Sequence, residues 1–349
     1  MEETSQVPAD RNWSNRTEVY DSYWIFAAER HAIYERRLLD AYGPWTKDPI
    51  LRTYRFTNTF RAADRVSQYL IRNVQNADGR SQNAEDIFLR TLLFKIFNRI
   101  ETWELIEERT GPLLCRTFNP ERIGALLEEA SRNGQRIYSA AYIMPPPALG
   151  HARKHINHLA LLLKMLKDRL PQKIHRAKSL EQVYELILEY PGIGPFLAFQ
   201  YTIDLNYSSL LNFNESDFVV AGPGALDGIS KCFGAQACNE PERVIYNMTE
   251  RQEYEFSRLG ITFRGLFGRP MQPIDCQNVF CEISKYSRVS HPEIRGRSGR
   301  VRIKQIYRAE KVIQPPPIFP SRWGLKVPVI ESLGHPPRLE HQHDLFDWQ

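Results

Sequence analysis

From residue 17 to 42 the apolar positions Tyr20, Trp24, Ala28 and Ala32 return every fourth residue, along one face of a helix that Gly43-Pro44 stops. A loop through Trp45 and Pro49 follows, and within 52–74 the pattern predicts a second helix from near Thr59 to the Ala77-Asp78-Gly79 turn. The stretch from Asn83 to Arg109 is apolar on most faces (Phe88, Leu92, Leu93, Ile96, Phe97, Ile100, Trp103) and reads as one long central helix. Asn119-Pro120-Glu121 joins an N-cap, a first-turn proline and a favourable acid for a fourth helix ending at Gly134. An aromatic, extended stretch over 137–144 ends at Pro145-Pro146-Pro147, and another helix runs to Leu170. Ser179 and Gln182 make a capping box for the next. Pro241 opens a helix to Leu259, and 272–288 is helical in its second half.

Beyond Val312, Pro315-Pro316-Pro317, Pro320, Pro328 and Pro336-Pro337 forbid helix interiors while Trp323 and Trp348 favour burial, so the pattern predicts an irregular Pro-rich tail lying on the body. The fold class is mainly α, with roughly ten helices and any β ribbon small. The chain divides along its length into an N-terminal helical part (1–170), a hairpin segment (171–240), C-terminal helices with a basic segment (241–311) and the tail (312–349).

The chain is organised around 179–233. There an apolar helix ends at Tyr190, turns through Pro191, Gly192, Ile193 and Gly194, and restarts at Pro195, a residue suited to a first helical turn. This is a helix-hairpin-helix pattern. Gly192 and Gly194 let a phosphate approach the turn, and the restarting helix points free N–H groups at it. A tight turn between two helices with no ligand is the plainer reading of the same five residues.

Composition is that of a soluble globular protein, 42% hydrophobic and 25% charged, with no apolar run long enough for a membrane span. The polar, acidic N-terminus lacks the features of a secretory signal, so a cytoplasmic location is expected. The five cysteines are scattered, which indicates neither a disulfide framework nor a zinc ribbon nor an iron–sulfur cluster. The formal charge of +5 is unevenly placed: residues 285–311 hold nine Lys or Arg against two Glu. Such a block favours a polyanion through phosphate contacts, the alternative being a solvated surface. Lys231, Lys285, Arg288, Arg300, Arg302 and Lys304 are the expected DNA contacts, together with Gly192, Gly194 and Arg61.

The hairpin, followed by Asp217 and the Gly222-Pro223-Gly224-Ala225 run, resembles the hairpin and catalytic-aspartate segment of the helix-hairpin-helix DNA glycosylases, with Tyr190 where that pattern has leucine. A wider set of motifs comprises Tyr54-Arg55-Phe56-Thr57-Asn58 with Arg61 and Asp64, Phe94 to Arg99, Gly222 to Ala225, and Asp275 to Tyr286. Together these resemble the α-glutamyl/putrescinyl thymine pyrophosphorylase family, which is similar to the helical domain attached to 5-hydroxymethyl-deoxyuridine DNA kinases. The resemblance covers roughly residues 20 to 305. It implies a glycosylase-like helical fold and chemistry on a flipped-out modified pyrimidine in double-stranded DNA.

What the resemblance implies first is a monofunctional DNA N-glycosylase that excises a hypermodified pyrimidine in anti-phage defence and leaves an abasic site. Pro195 and Phe196 stand where bifunctional members carry a lysine nucleophile. Asp217 would then stabilise the developing sugar cation, with Asn58 and Asp64 as further site residues. Its plainer alternative is a loop or capping aspartate. Asp227, read as solvent-facing in the following helix, is the alternative carboxylate, and Asp64 and Glu282 are the remaining ones within the motifs. The other function implied is a base-modifying transferase of pyrophosphorylase type acting on 5-hydroxymethyl-pyrimidine in DNA, and a third reading is a non-catalytic DNA-binding module.

Arg61, Asp64 and Arg65 are spaced to share one helical face, which equally suits a simple ion pair. His151, His155 and His158 are spaced for a metal, but with no carboxylate among them they read as a basic face. His341-Gln342-His343-Asp344 and the Asn12-Trp13-Ser14 match carry less. No metal, no cofactor and no obligatory protein partner is expected.

Overall fold

Several helices begin where a polar side chain captures a free backbone N–H. In the computed structural model, which describes residues 15–40, 42–141, 144–308 and 314–328, Thr17 accepts from Val19 N–H and opens α1 (Glu18–Leu39). Asp48 accepts from Ile50 and Leu51 N–H and, with Pro49, opens α2 (Pro49–Thr53), a helix where the sequence suggested only a loop. The expected helix from Thr59 to 74 is instead a 3-10 turn (Arg61–Ala63), α3 (Arg65–Tyr69) and a π turn (Leu70–Gln75). Asp64 has extended backbone (ψ 146°) and caps α3, so Arg61, Asp64 and Arg65 do not share a helical face.

The long helix expected from Asn83 to Arg109 is two, α4 (Ala84–Phe97) and α5 (Ile100–Thr110). Asn98 separates them in the left-handed region (φ 49°), which asparagine tolerates better than most residues. α6 (Pro120–Arg132) starts where Asn119 predicts. α7 (Lys154–Lys167) and α8 (Leu170–His175) are parted by Arg169 at φ 57°. α9 (Leu180–Leu188) is capped by Ser179, while Gln182 accepts from Lys178 N–H rather than closing the expected box. α10 (Pro195–Asn206) completes the helical hairpin.

α11 (Pro223–Phe233) and α12 (Pro241–Arg258) follow. α13 (Pro273–Ser290) is helical throughout because Gln272 and Asp275 form a capping box at its start, a signal the sequence reading passed over. The described residues contain no strand, only the isolated bridges Tyr54–Ile306 and Leu266–Arg269. The protein is mainly α. Trp348, residues 341–344 and Asn12 to Ser14 lie outside the described residues.

Two compact units share the chain. The first takes residues 1–60, 221–315 and 328–349, the second 61–220 and 316–327. They interleave rather than following the four linear stretches read from the sequence. In the first unit α13 lies against α1, α2, α11 and α12, with Tyr23, Trp24, Phe256 and Phe280 in its aromatic core. α11 approaches α13 so closely that a Cβ at Gly228 would stand 2.1 Å from the Phe280 carbonyl oxygen. In the second unit α4 is buried on nearly every side by α5, α7, α8 and α10, each large apolar side chain contributing about 1.5–3 kcal/mol. Residues 316–327 of the tail belong to this unit. Arg322 donates to the Asn206 and Leu211 carbonyls, Trp323 packs edge-on against Tyr207, and Gln68 pairs with both backbone groups of Ile318.

Two histidines sit in these cores uncharged. His31 donates to the Gly265 carbonyl at 3.0 Å, and burial pushes its pKa down to about 4. His158 accepts from the Tyr138 hydroxyl at 2.7 Å and donates to the Pro145 carbonyl at 3.1 Å; burial again brings it to about 4. With both ring nitrogens engaged, His158 does not belong to the basic face or the metal set drawn from its spacing. Between about pH 6.5 and 4 the unfolded chain binds a proton at each histidine and the folded chain does not, so stability falls as pH drops through that window. The full effect is on the order of 3 kcal/mol per histidine. Melting at pH 7 and pH 5 should show the loss, and His158→Phe should flatten it; an unchanged pH slope in the variant would contradict the assignment.

Candidate nucleic-acid interface

In the first unit three of the motif stretches meet on α13. Thr57 donates its N–H to Glu282 Oε2 at 3.0 Å and its hydroxyl to Asn278 Oδ1 at 3.2 Å, and Asn278 Nδ2 returns a bond to the Asn58 carbonyl at 2.7 Å. Arg30 holds the Phe56 carbonyl at 3.3 Å. Lys285 pairs with Glu282 at 2.5 Å and lies over the Phe56 ring at 5.2 Å, with about a fifth of its side chain open to solvent. The Gly222 to Ala225 run arrives from α11, where a Cβ at Gly224 would touch Cys281 Sγ at 3.0 Å. Burial pushes the Cys281 thiol up to about 12, so it is neutral and no nucleophile at neutral pH. The cluster thus holds the Glu282 carboxylate, the Lys285 ammonium and the Asn278 amide on one helix, with the 57–58 backbone bound against them. Asn58 enters it through its backbone carbonyl and Lys285 through its ammonium; Asn278 and Glu282 complete it.

The basic segment leaves the end of α13. It forms no ribbon: the backbone pairs with 53–55 through Arg55 N–H to Gln305 O and Tyr307 N–H to Thr53 O, around the single bridge at Ile306. Arg300, Arg302 and Lys304 are exposed, as are Arg295 and Arg297. Arg288 is drawn inward, donating to the Arg302 carbonyl at 3.1 Å and to Ser284 Oγ at 3.4 Å. Lys231 is only 2% exposed and donates to the Ser284 carbonyl and Ser287 Oγ, so the DNA contact expected of it is corrected: its ammonium is enclosed by α13.

Asp227 is the second correction. Read as solvent-facing in the helix that follows the Gly222 to Ala225 run, it is 2% exposed. Its Oδ1 accepts Ser298 N–H at 2.6 Å and its Oδ2 accepts the Ser284 hydroxyl. Burial pushes its pKa up, but these bonds and the Lys231 charge outweigh that and hold it below the usual carboxylate range.

In the second unit the hairpin turns through Tyr190 to Ile193 with Gly192 at φ 78°, and a Cβ there would stand 2.9 Å from Pro147 Cα. The protein's own packing therefore demands that glycine. Gly194 caps α10 with nothing within 4 Å of an added Cβ, which leaves its face open to a ligand. Asp217 lies in an exposed turn and accepts from Ser216 Oγ at 2.8 Å. Asp64 is half-buried.

Arg61 is buried and directed to Asp204, Nη2 to Oδ1 at 2.8 Å, with its Nε on Gln200 Oε1 at 2.9 Å. That is not a surface phosphate contact. Lys95, from the Phe94 to Arg99 motif, reaches the other Asp204 oxygen at 3.3 Å. Asp204, fully buried, is the residue sequence reasoning missed; the signal was a lone carboxylate in the apolar run Tyr201 to Leu205, which burial obliges to find cations.

Residues 17–296, and so the motif clusters of both units, match the model of the 5-hmdU DNA kinase helical domain. The chain belongs to that family. A 5-hmdU DNA kinase of Bacillus phage SP10 is 25% identical over 288 residues, covering 77% of this chain and 45% of the relative. The chain thus spans less than half the length of the curated relative it matches. No solved structure matches. Among the described residues no helix is long and apolar enough to cross a membrane.

These findings overturn the expectation of a DNA N-glycosylase. The relative within the helical-domain family is named as a kinase, a transferase, not a hydrolase of N-glycosyl bonds. The geometry of Asp217 agrees with the correction: an exposed carboxylate works in high dielectric, where stabilising a sugar cation is weak. Its role in base excision falls with that reading.

Proposed function

We propose that this chain recognises 5-hydroxymethyl-pyrimidine nucleotides in DNA and catalyses transfer at their 5-substituent, as a base-modifying transferase of pyrophosphorylase type. The observation that carries this is the match over 17–296 to the helical domain of a kinase named for 5-hmdU in DNA. An amine nitrogen forms a bond to the 5-methylene carbon of an activated base while the carbon–oxygen bond to pyrophosphate breaks. The pyrophosphate leaves with the electron pair, and the amine loses a proton. In the first unit Lys285 is the cation for the departing phosphate and Glu282 the base for that proton, with Asn58 and Asn278 fixing the loop beside them.

The glycosylase-like helical fold belongs to this reading as an architecture for holding DNA, without base excision. In it the α9–α10 hairpin contacts backbone phosphates at its exposed turn, where Gly192 shapes the chain and Gly194 leaves open space, and the exposed Arg300, Arg302 and Lys304 contact others. A duplex carrying one 5-hydroxymethyldeoxyuridine should bind about tenfold more tightly than the same duplex with thymidine, because a site shaped for the hydroxyl leaves polar groups unmet by a methyl. Equal affinities by fluorescence anisotropy would overturn the reading.

A further inference from the structure

The family match stops at residue 296, just before Arg297, Arg300, Arg302 and Lys304. Those cations occupy a segment without regular secondary structure, which alone would present them in many arrangements. Two contacts tie it to the helices and a third closes a turn within it. Ser298 N–H donates to Asp227 Oδ1 at 2.6 Å, Arg288 donates to the Arg302 carbonyl, and Gly299 N–H closes a turn on the Gly296 carbonyl at 3.3 Å. Gly296 lies so near the carboxylate that a Cβ would stand 2.4 Å from Asp227 Oδ1. The carboxylate is further fixed by Ser284, and Lys231 lies beside it on the same helix.

We infer that Asp227 is the positioning residue of a DNA-backbone clasp: its buried carboxylate seats the 296–299 turn and thereby orders the following arginines and Lys304 as a phosphate-binding row. The inference rests on the reading that the chain engages DNA and adds to it the element and the anchor. A polyanion with regularly spaced charges suits cations whose spacing is fixed beforehand, since ordering them on binding would cost affinity. The exposed Val301 and Ile306 interleaved with the cations add apolar contact beside the phosphates.

The test uses the full chain and a short unmodified duplex, titrated from about 50 to about 200 mM salt. Gly296→Val pushes the turn off the carboxylate without altering any helix, and Asp227→Ala removes the acceptor. Both should bind about tenfold more weakly, with the slope of log affinity against log salt reduced by roughly two or more, as expected when ordered phosphate contacts are lost. Amide exchange at 297–304 should quicken in both. If Asp227→Ala fails to fold, Gly296→Val alone carries the test, because position 296 lies in a surface turn. Folded variants with wild-type affinity and slope would overturn the clasp while leaving DNA engagement intact. A wild-type chain that binds neither this duplex nor one containing 5-hydroxymethyldeoxyuridine would overturn the DNA reading itself.

Discussion

Asp204→Ala should destabilise the second unit by about 3–5 kcal/mol, the range for removing one partner from a buried ion pair. Asp204 is fully buried, and its two oxygens face Arg61 at 2.8 Å and Lys95 at 3.3 Å, cations that are themselves 6% and 2% exposed. Deleting the carboxylate leaves both positive charges inside the protein without the group they converge on, and neither side chain can reach water without breaking the packing around α4 and α10. For a unit of this size the loss corresponds to a fall of about 10 °C in melting temperature. Lys95→Met should be far milder, because it removes a charge together with its desolvation cost. Thermal melting of the two variants separates an electrostatic keystone from ordinary filling: if Asp204→Ala melted within a degree or two of the wild type, the triad would be incidental.

How much of this was legible follows from the kind of signal each residue leaves. Caps and first-turn prolines announce themselves locally, which is why Asn119, Ser179 and Pro195 mark helix starts correctly. Breaks are quieter. Asn98 splits the central helix through a single left-handed residue in an apolar run, and the hydrophobic period continues across it. Motif stretches far apart in sequence were recognisable as a set, yet nothing local says that Thr57 meets Asn278 and Glu282 while Lys95 meets Asp204. Asp227 and Lys231 were misread for a related reason. Expected to face solvent and DNA, they are enclosed because Gly224 and Gly228 let α13 come down onto α11, a consequence of what those positions lack. The basic segment was visible as a charge block, but its seat on a carboxylate some 70 positions earlier could be seen only once folded.

The second large effect is the appearance of a new nucleoside. DNA containing 5-hydroxymethyldeoxyuridine with pyrophosphate on its 5-methylene oxygen carries a leaving group that an amine can displace. A protein that binds the nucleotide and places Lys285 and Glu282 beside that carbon should accelerate the exchange by orders of magnitude over solution, through proximity and charge stabilisation together. Glu282→Gln keeps the hydrogen bond from Thr57 N–H but removes the charge, so it should keep DNA affinity while turnover falls by about a hundredfold or more. The direct measurement is mass spectrometry of the nucleosides after the full chain has acted on such DNA with putrescine or glutamate supplied as the amine. A nucleoside heavier than 5-hydroxymethyldeoxyuridine by the bonded amine, less one water, appearing with free pyrophosphate is the predicted result; nucleosides unchanged, or a free base released from the sugar, would contradict it.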